Sequence, residues 1–536
     1  MPKYTWILAL IMIVNIFLSS YHFHEWLEFS PDQARDATIA NNVITGQESL
    51  PLDGPQAGNT HFSLGPLYYE TQYFSALIFG NTPQAMAYPD LFFAILSVPM
   101  LFLFLKKYFS VRMSLFLTAV FSISYFEIIN ARSALNQHPI SFFAVLFLYA
   151  LLEIMQKPKG NRLILWYSFL GISVGVGIQL HAILVFTMPV LLILVLVWQW
   201  RNKIFSWKGV VFMLTMFLVV NTGQIMHEMT TKASNTKALF KSVASRSEAD
   251  GSLLHKVKVL AICQLSSDIH MISSSMNEPK CELSFNLAIS DGVENYAPLA
   301  LIQVNWQKIL VIFLSAVFLC GGFIILIWAF FRKEKDQQRK NFLGLVAAYN
   351  IITLAVLLPV ASEIEMRYFV VLIFMPFVLF GLWLNWFLQY KKIGKIIVAL
   401  IAGLLLATNI YIVSVSAAIY MNGRASNSDS GILGEIEPIS RYILDNTGGK
   451  EEVYLGGSQL YLKRFFAPLK YLTMRSGLTL VQRIDTYDVS SGEKLFYIDK
   501  GGIVNYMYRI GETEHGCVIE NIQQFGNLSL LTLRRQ

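Results

Sequence analysis

Charge is scarce in this chain: Asp, Glu, Lys and Arg make up 14% of 536 residues, against about 25% in soluble domains. Water is therefore not its main solvent. Cysteine is equally sparse, with four in all. Cys263 and Cys281 share one loop, Cys320 lies in an apolar run and Cys517 is near the C-terminus. No zinc-type spacing exists among them. Cys263 and Cys281 are candidates for a disulfide in an oxidising compartment. No H-E-x-x-H motif and no internal repeat occurs. Nucleic acid is excluded as a partner despite a net charge of +7, because Lys and Arg sit in short loops between apolar runs and form no continuous phosphate groove.

Hydrophobicity is what the chain has instead: 54% apolar residues, 14% aromatics and a mean hydropathy of +0.50. A bilayer core takes about 20 apolar residues as a helix. Eleven stretches approximate this length: 4–21, 89–106, 112–130, 139–156, 163–180, 182–199, 208–226, 309–331, 342–360, 368–389 and 395–415. The first has no small-residue cleavage site after it, only Tyr21-His22-Phe23-His24-Glu25-Trp26, and reads as an uncleaved span. Every second connector is short and basic, as at Lys106-Lys107, Lys157/Lys159 and Arg332-Lys333. The positive-inside rule places these loops and the N-terminus in the cytoplasm. The connectors 22–88, 131–138, the turn near His181, 227–308 and 361–367 then face out, as does the C-terminal segment. The expected architecture is an α-helical multi-spanning membrane protein of about eleven transmembrane helices over residues 1–420. A small extracytoplasmic α/β domain follows over 421–536. In that tail, Ile432–Asn446 has helical periodicity, and Glu452–Leu455, Lys494–Ile498 and Leu528–Leu533 read as strands. The segment Pro66–Gly80 reads as a helix lying in the interface. The long outer loop 227–308 reads as polar and without regular structure.

Four outer-face stretches can carry chemistry. In Ser30-Pro31-Asp32-Gln33-Ala34-Arg35-Asp36, the acids and Arg35 stand at i, i+3 and i+4 and share a face if helical. Asp32 is either a helix cap or a carboxylate able to take a proton from an acceptor. His61 through Tyr69 holds a Gly-Pro turn followed by Tyr68 and Tyr69. Asn130 through Pro139 holds Arg132, Asn136 and His138. Arg132 is on the side where the rule disfavours it, and its anionic partner is either Glu127 or a lipid phosphate. The last stretch, Glu363 through Tyr368, holds Arg367 and Tyr368 at the mouth of a span, with Glu363 and Glu365 as local partners. All nine histidines, His181 among them, lie outside or at outer span ends, which leaves a metal site open but explains most of them as interfacial rings.

These stretches resemble the protein O-mannosyltransferase-like GT-C glycosyltransferases, whose bacterial members include the aminoarabinose transferase of lipid A. The matching residues are Ser30 through Arg35, His61 through Tyr69, Ala131-Arg132-Ser133-Ala134-Leu135-Asn136 and Met366-Arg367-Tyr368. The resemblance spans residues 1 to about 420 and is strongest over 1–160. It implies a polyprenyl-phosphate sugar as donor and a glycan, lipid or protein acceptor at the outer face of a bacterial inner membrane. It puts Asp32 in the catalytic role, and Arg35, Arg132 and Arg367 on the lipid phosphate. Gln33, Asp36, His61, Tyr68, Tyr69, Asn136, His138, His181 and Tyr368 are candidate substrate-binding residues. Gln33 and Asn136 stand where the family has acids. Both changes remove negative charge, which weakens the case for a bound metal; no cofactor is certain, and a divalent metal stays open. The competing readings are a polysaccharide polymerase or ligase, and a transporter or flippase. Transport chemistry places ionisable groups near mid-membrane, whereas here they gather at one face.

Overall fold

The computed structural model describes residues 3–58, 60–247, 252–274, 281, 305–427, 430–483, 494–501 and 517–535. Each of the eleven apolar stretches falls on helix. Among the described residues six helices are long and apolar enough to cross a membrane, among them α4 (Pro83–Leu105), α8 (Asn161–Leu180), α9 (Leu184–Arg201), α15 (Gln337–Leu357) and α17 (Lys391–Met421). The sixth is the end of α14 (Asn305–Trp328), continued by a π-helical turn to Lys333. Two bent pairs supply further spans: α10 (Trp207–Val220) with α11 (Thr222–Thr230), and the 3-10 turn Met366–Leu372 with α16 (Met375–Phe387). Three shorter apolar helices complete the set: α1 (Lys3–Ser20), α5 (Val111–Ser122) and α7 (Ile140–Met155). The chain is a multi-pass helical membrane protein.

The remaining helices are the short α6 (Tyr125–Asn130) and those of the outer segments. In the first outer loop these are α2 (Pro31–Ile44) and α3 (Leu67–Phe79). Pro31 opens α2, where its missing N–H costs nothing, and Ser30 precedes it as N-cap. On α3, Tyr68, Tyr69, Gln72, Ser75 and Ala76 are buried, while Phe74, Leu77, Ile78 and Phe79 are exposed. That exposed apolar edge suits an interfacial helix.

The segment 227–308 departs from the expectation of an irregular loop. Its described part holds α12 (Ser234–Ser247) and α13 (Leu253–Ser273). Leu260, Cys263, Leu265, Met271 and Ile272 of α13 are buried in the membrane-domain core. The polar Gln264, Ser266, Ser267 and Asp268 between them are buried as well, so α13 is enclosed on more than one side and its polar average hides that in the sequence. Cys263 and Cys281 form a disulfide.

The tail contains α18 (Leu433–Asp445), β1 (Glu452–Gly457), α19 (Gln459–Met474), β2 (Thr479–Gln482), β3 (Lys494–Lys500), β4 (Cys517–Phe525) and β5 (Leu528–Arg535). The strand order is β2-β1-β3-β5-β4. β1 runs parallel to both β2 and β3, and β5 is antiparallel to β3 and β4. The helix α19 and the strands β2 and β4 had no expectation from the sequence. This sheet does not stand apart from the first outer loop. Phe23, Leu27, Phe29 and the small residues Ala34, Ala37 and Ala40 share one hydrophobic core with Leu433, Ile436, Phe465 and Leu469. The backbone joins the two as well: Phe29 N–H donates to Gly431 O at 2.8 Å, and Leu433 N–H to Leu27 O at 2.9 Å. The tail therefore braces the loop that carries Asp32.

Candidate active site

A cavity of ≈ 660 Å³ opens among the segments that join the helices at one end of the bundle. Asp32 and Arg35 line it from α2, Asn136 and Gln137 from the α6–α7 connector, His181 from the end of α8, and Arg367 and Tyr368 from the 3-10 turn before α16. Six of the residues expected from the sequence thus converge from four separate parts of the chain. Phe186 and Val190 of α9, Val356 at the end of α15 and Pro359 and Val360 of the 3-10 turn Leu358–Glu363 that follows it form an apolar wall. The opposite wall is a tight hairpin running from Gly54 to Gly65. Gly54 N–H donates to Leu64 O and Leu64 N–H to Pro55 O, at 2.8 and 2.9 Å. A side chain at Gly54 would collide with the carbonyl of Gly65, and one at Gly65 with Gln179.

Arg35 is the centre of the charged edge. Its Nη1 donates to Asp32 Oδ1 at 2.9 Å, while Nε and Nη2 both reach Asp36 Oδ1, at 2.8 and 2.7 Å. Asp32 is 55% exposed and Asp36 only 1%. The two acids have different roles: one faces the cavity and the other anchors the arginine from behind. Burial pushes the Asp36 carboxyl up to about 7, although Arg35 pulls the other way. Burial also works against the charge on Arg35, yet Asp36, then Tyr69 and Asp32, hold its guanidinium above the usual range. Tyr69 bonds to this pair from α3.

His181 is buried, and its Nδ1 accepts from Ile183 N–H at 3.2 Å. The ring proton is therefore on Nε2. Burial, then the Arg367 charge, lowers it to about 4. Its ring meets Tyr368 edge-on at 5.5 Å. Arg367 is 52% exposed and pairs with Glu365 through Nε at 2.7 Å. Asn136 donates through Nδ2 to Leu180 O at 2.6 Å, locking the connector to the end of α8.

Five expected residues are placed elsewhere. Gln33 is buried and outside the cavity lining. It accepts from Ser30 N–H at 2.5 Å and donates to Ser133 Oγ at 2.6 Å. An amide does both, whereas the acid expected there only accepts when ionised. Arg132 lies outside the lining of this cavity. It donates through Nη2 to Leu18 O and Tyr21 O, at 2.7 and 2.6 Å, and lies over Trp26 at 5.2 Å. It closes the orphan carbonyls at the end of α1, and burial lowers it to about 10. Tyr68 and His138 lie behind the cavity, where the Tyr68 hydroxyl is 3.5 Å and the His138 Nδ1 is 4.0 Å from the buried Asp90 carboxylate. His138 Nδ1 also bonds Ser133 O at 2.6 Å, and burial lowers it to about 4. His61 is exposed and outside the lining.

Residues missed by sequence reasoning include Gln137, the hairpin residues Gln56 and Phe62, and Leu239 and Ser242 of α12. Only their spatial approach reveals them. Among the described residues no three of His, Cys, Asp and Glu converge as a metal set. The positive Arg35 occupies the space between Asp32 and Asp36. As arranged, Asp32 and Asp36 both turn toward the Arg35 guanidinium rather than toward a shared ion.

Residues 64–222 match the family described as dolichyl-phosphate-mannose-protein mannosyltransferase. No curated protein matches the chain by sequence. Among solved structures, the fold is similar to that of ArnT from Cupriavidus metallidurans. Its complex with undecaprenyl phosphate gives a TM-score of 0.51 and its apo state 0.53, each at 11% identity over 98% of this chain and 97% of that one. The archaeal oligosaccharyltransferase AglB from Archaeoglobus fulgidus, in complex with an inhibitory peptide and a dolichol-phosphate, gives 0.49 at 12% identity, over 88% of this chain and 64% of that one. The expected GT-C fold with a small C-terminal sheet domain is what the chain adopts.

Proposed function

We propose that this chain, a membrane glycosyltransferase of the GT-C, protein O-mannosyltransferase-like type, moves a sugar from a polyprenyl phosphate to an acceptor at the non-cytoplasmic face. The observation that carries this reading is the convergence of Asp32, Arg35 and Arg367 on one cavity with an apolar wall. The lipid phosphate would be held by Arg35 and Arg367, and the first isoprene units by the α9 and α15 side. The undecaprenyl phosphate in the ArnT complex supports this class of donor.

In the reaction, the acceptor heteroatom attacks the anomeric carbon as the carbon–oxygen bond to phosphate breaks. The acceptor proton passes to Asp32, and the lipid leaves as a phosphate monoester. Two guanidinium groups offset the charge that develops on that leaving oxygen. Arg35 shifts from Asp32 to the phosphate as the donor enters, which frees the carboxylate to act as base. Asp36 stays behind Arg35 and limits how far it moves. The disulfide and the basic loops at alternate connectors support an envelope membrane with the N-terminus inside and the tail outside.

The test is sugar transfer by purified wild-type and Asp32→Asn protein, with radiolabelled polyprenyl-phosphate sugars and membrane extract as acceptor. A positioned base contributes about 10²–10⁴-fold, so the variant should lose that much turnover while still binding donor. Equal turnover in the two proteins would remove Asp32 from the chemistry. Failure of the wild type to bind or use any donor would favour the transport reading.

A further inference from the structure

A second cavity, of ≈ 350 Å³, lies at the other end of the molecule. Helix α15 joins the two. Arg339 in its first turn lines this cavity, and Val356 in its last turn lines the catalytic one. The helix has 21 residues, a rise of about 30 Å, which is one hydrocarbon thickness. The second cavity therefore sits at the opposite membrane interface.

Its walls are built for an anion with an apolar neighbour. The π-helical turn Ala329–Lys333 ends α14 and swings Lys333 into the lining. Lys333 lies over Trp328 at 5.3 Å, and Arg339 over Tyr108 at 4.6 Å. Arg339 pairs with Glu334 through Nε at 3.3 Å. Asn385 and Trp386 close the site from α16. The adjacent surface is apolar and exposed at Ile327 and Phe331, as at a lipid-facing rim.

We propose that this cavity binds the phosphate of an anionic glycerophospholipid, with Lys333 and Arg339 on the phosphate and the indole rings beside the glycerol. Two cations against one carboxylate leave a net positive site, and the Arg339 side chain stays 43% exposed while it pairs with Glu334. The lipid source is favoured over free phosphate because the charged lining adjoins Trp328, Ile327 and Phe331, which are apolar and exposed. This site does not depend on the reaction proposed above.

The test uses full-length protein in neutral detergent, with phosphatidylglycerol, phosphatidylcholine and sodium phosphate as separate probes. Retention by native mass spectrometry and the thermal midpoint are read together. Phosphatidylglycerol should stay bound and raise the midpoint, and phosphatidylcholine should not. Lys333→Gln with Arg339→Gln should weaken phosphatidylglycerol about tenfold or more. Unchanged affinity in that double variant would overturn the site. Should the double variant fail to fold, Glu334→Gln decides: it removes the opposing charge and must tighten phosphatidylglycerol binding, and unchanged affinity overturns the proposal. Sodium phosphate that competes at the concentration of the lipid would overturn the lipid assignment.

Discussion

Arg35 grips a single oxygen of Asp36 with two of its nitrogens, at 2.8 and 2.7 Å. A buried carboxylate thereby fixes the direction of a guanidinium whose remaining nitrogen points at Asp32. Lysine has one nitrogen and cannot hold both acids in this way. Arg35→Lys should lower kcat/KM for the polyprenyl-phosphate donor by about 10²-fold. Turnover at the wild-type level would show that Arg35 is only a surface ion-pair partner.

Asp36 also predicts a pH effect. Its carboxyl is raised from 3.8 to about 7, so the folded protein holds a proton that the unfolded chain releases. Its contribution to stability is full below pH 3.8 and is lost as pH rises through about 7. Asp36→Asn should remove that part of the slope. Thermal midpoints of both proteins across pH 4–8 check this, and parallel curves would contradict it.

His138 has the opposite sign. Its folded value of about 4 lies below the ordinary 6.5, so the buried ring is neutral and unfolding takes up a proton. Stability is present above pH 6.5 and lost as pH falls through 4, by up to about 3 kcal/mol. His138→Gln should flatten this acid limb. A limb that persists unchanged would assign it to other groups, with His181 the first to test.

Asn235 holds the cavity hairpin from α12. Its Oδ1 accepts from Ser63 N–H at 2.7 Å and its Nδ2 donates to Ser63 O at 2.8 Å. Asn235→Ala leaves two buried backbone groups unpaired, at a cost of about 1–3 kcal/mol. The expected kinetic signature is a raised KM with kcat nearly unchanged, because the hairpin shapes the cavity and carries no reacting group. A lowered kcat at constant KM would place the hairpin in the chemistry.

The disulfide between Cys263 and Cys281 closes a separation of 18 residues. Loop-closure entropy of that order stabilises by about 3 kcal/mol. Replacing both cysteines by alanine should lower the thermal midpoint, and a reducing agent should lower only the wild type. A midpoint insensitive to both would show that α13 is held by packing alone.

The eleven hydrophobic stretches were legible because solvation of a single helix by lipid is a local property, readable in about 20 residues. The start of α2 was legible for a similar reason: Ser30 and Pro31 act on their own turn. The outer arginines were not. Arg367 faces the cavity, but Arg132, placed beside it by the same charge argument, closes the end of α1. A residue's outer-face location says which compartment it meets and leaves open which way its side chain turns.

Composition and hydropathy runs determined, by themselves, a multi-span helical membrane protein, and the stretches around Asp32, His61, Arg132 and Arg367 carried the resemblance to a glycosyltransferase family. Tertiary structure alone decided that Asp32 is exposed and Asp36 buried, that Gln33 is a structural amide, that α13 belongs to the core, and that the tail braces α2. The physical reason is range. Partition into lipid and helix capping act within one or a few turns of chain, whereas burial and hydrogen-bond partners depend on residues far apart in sequence: 172 positions for Ser63 and Asn235, and 100 for Gln33 and Ser133.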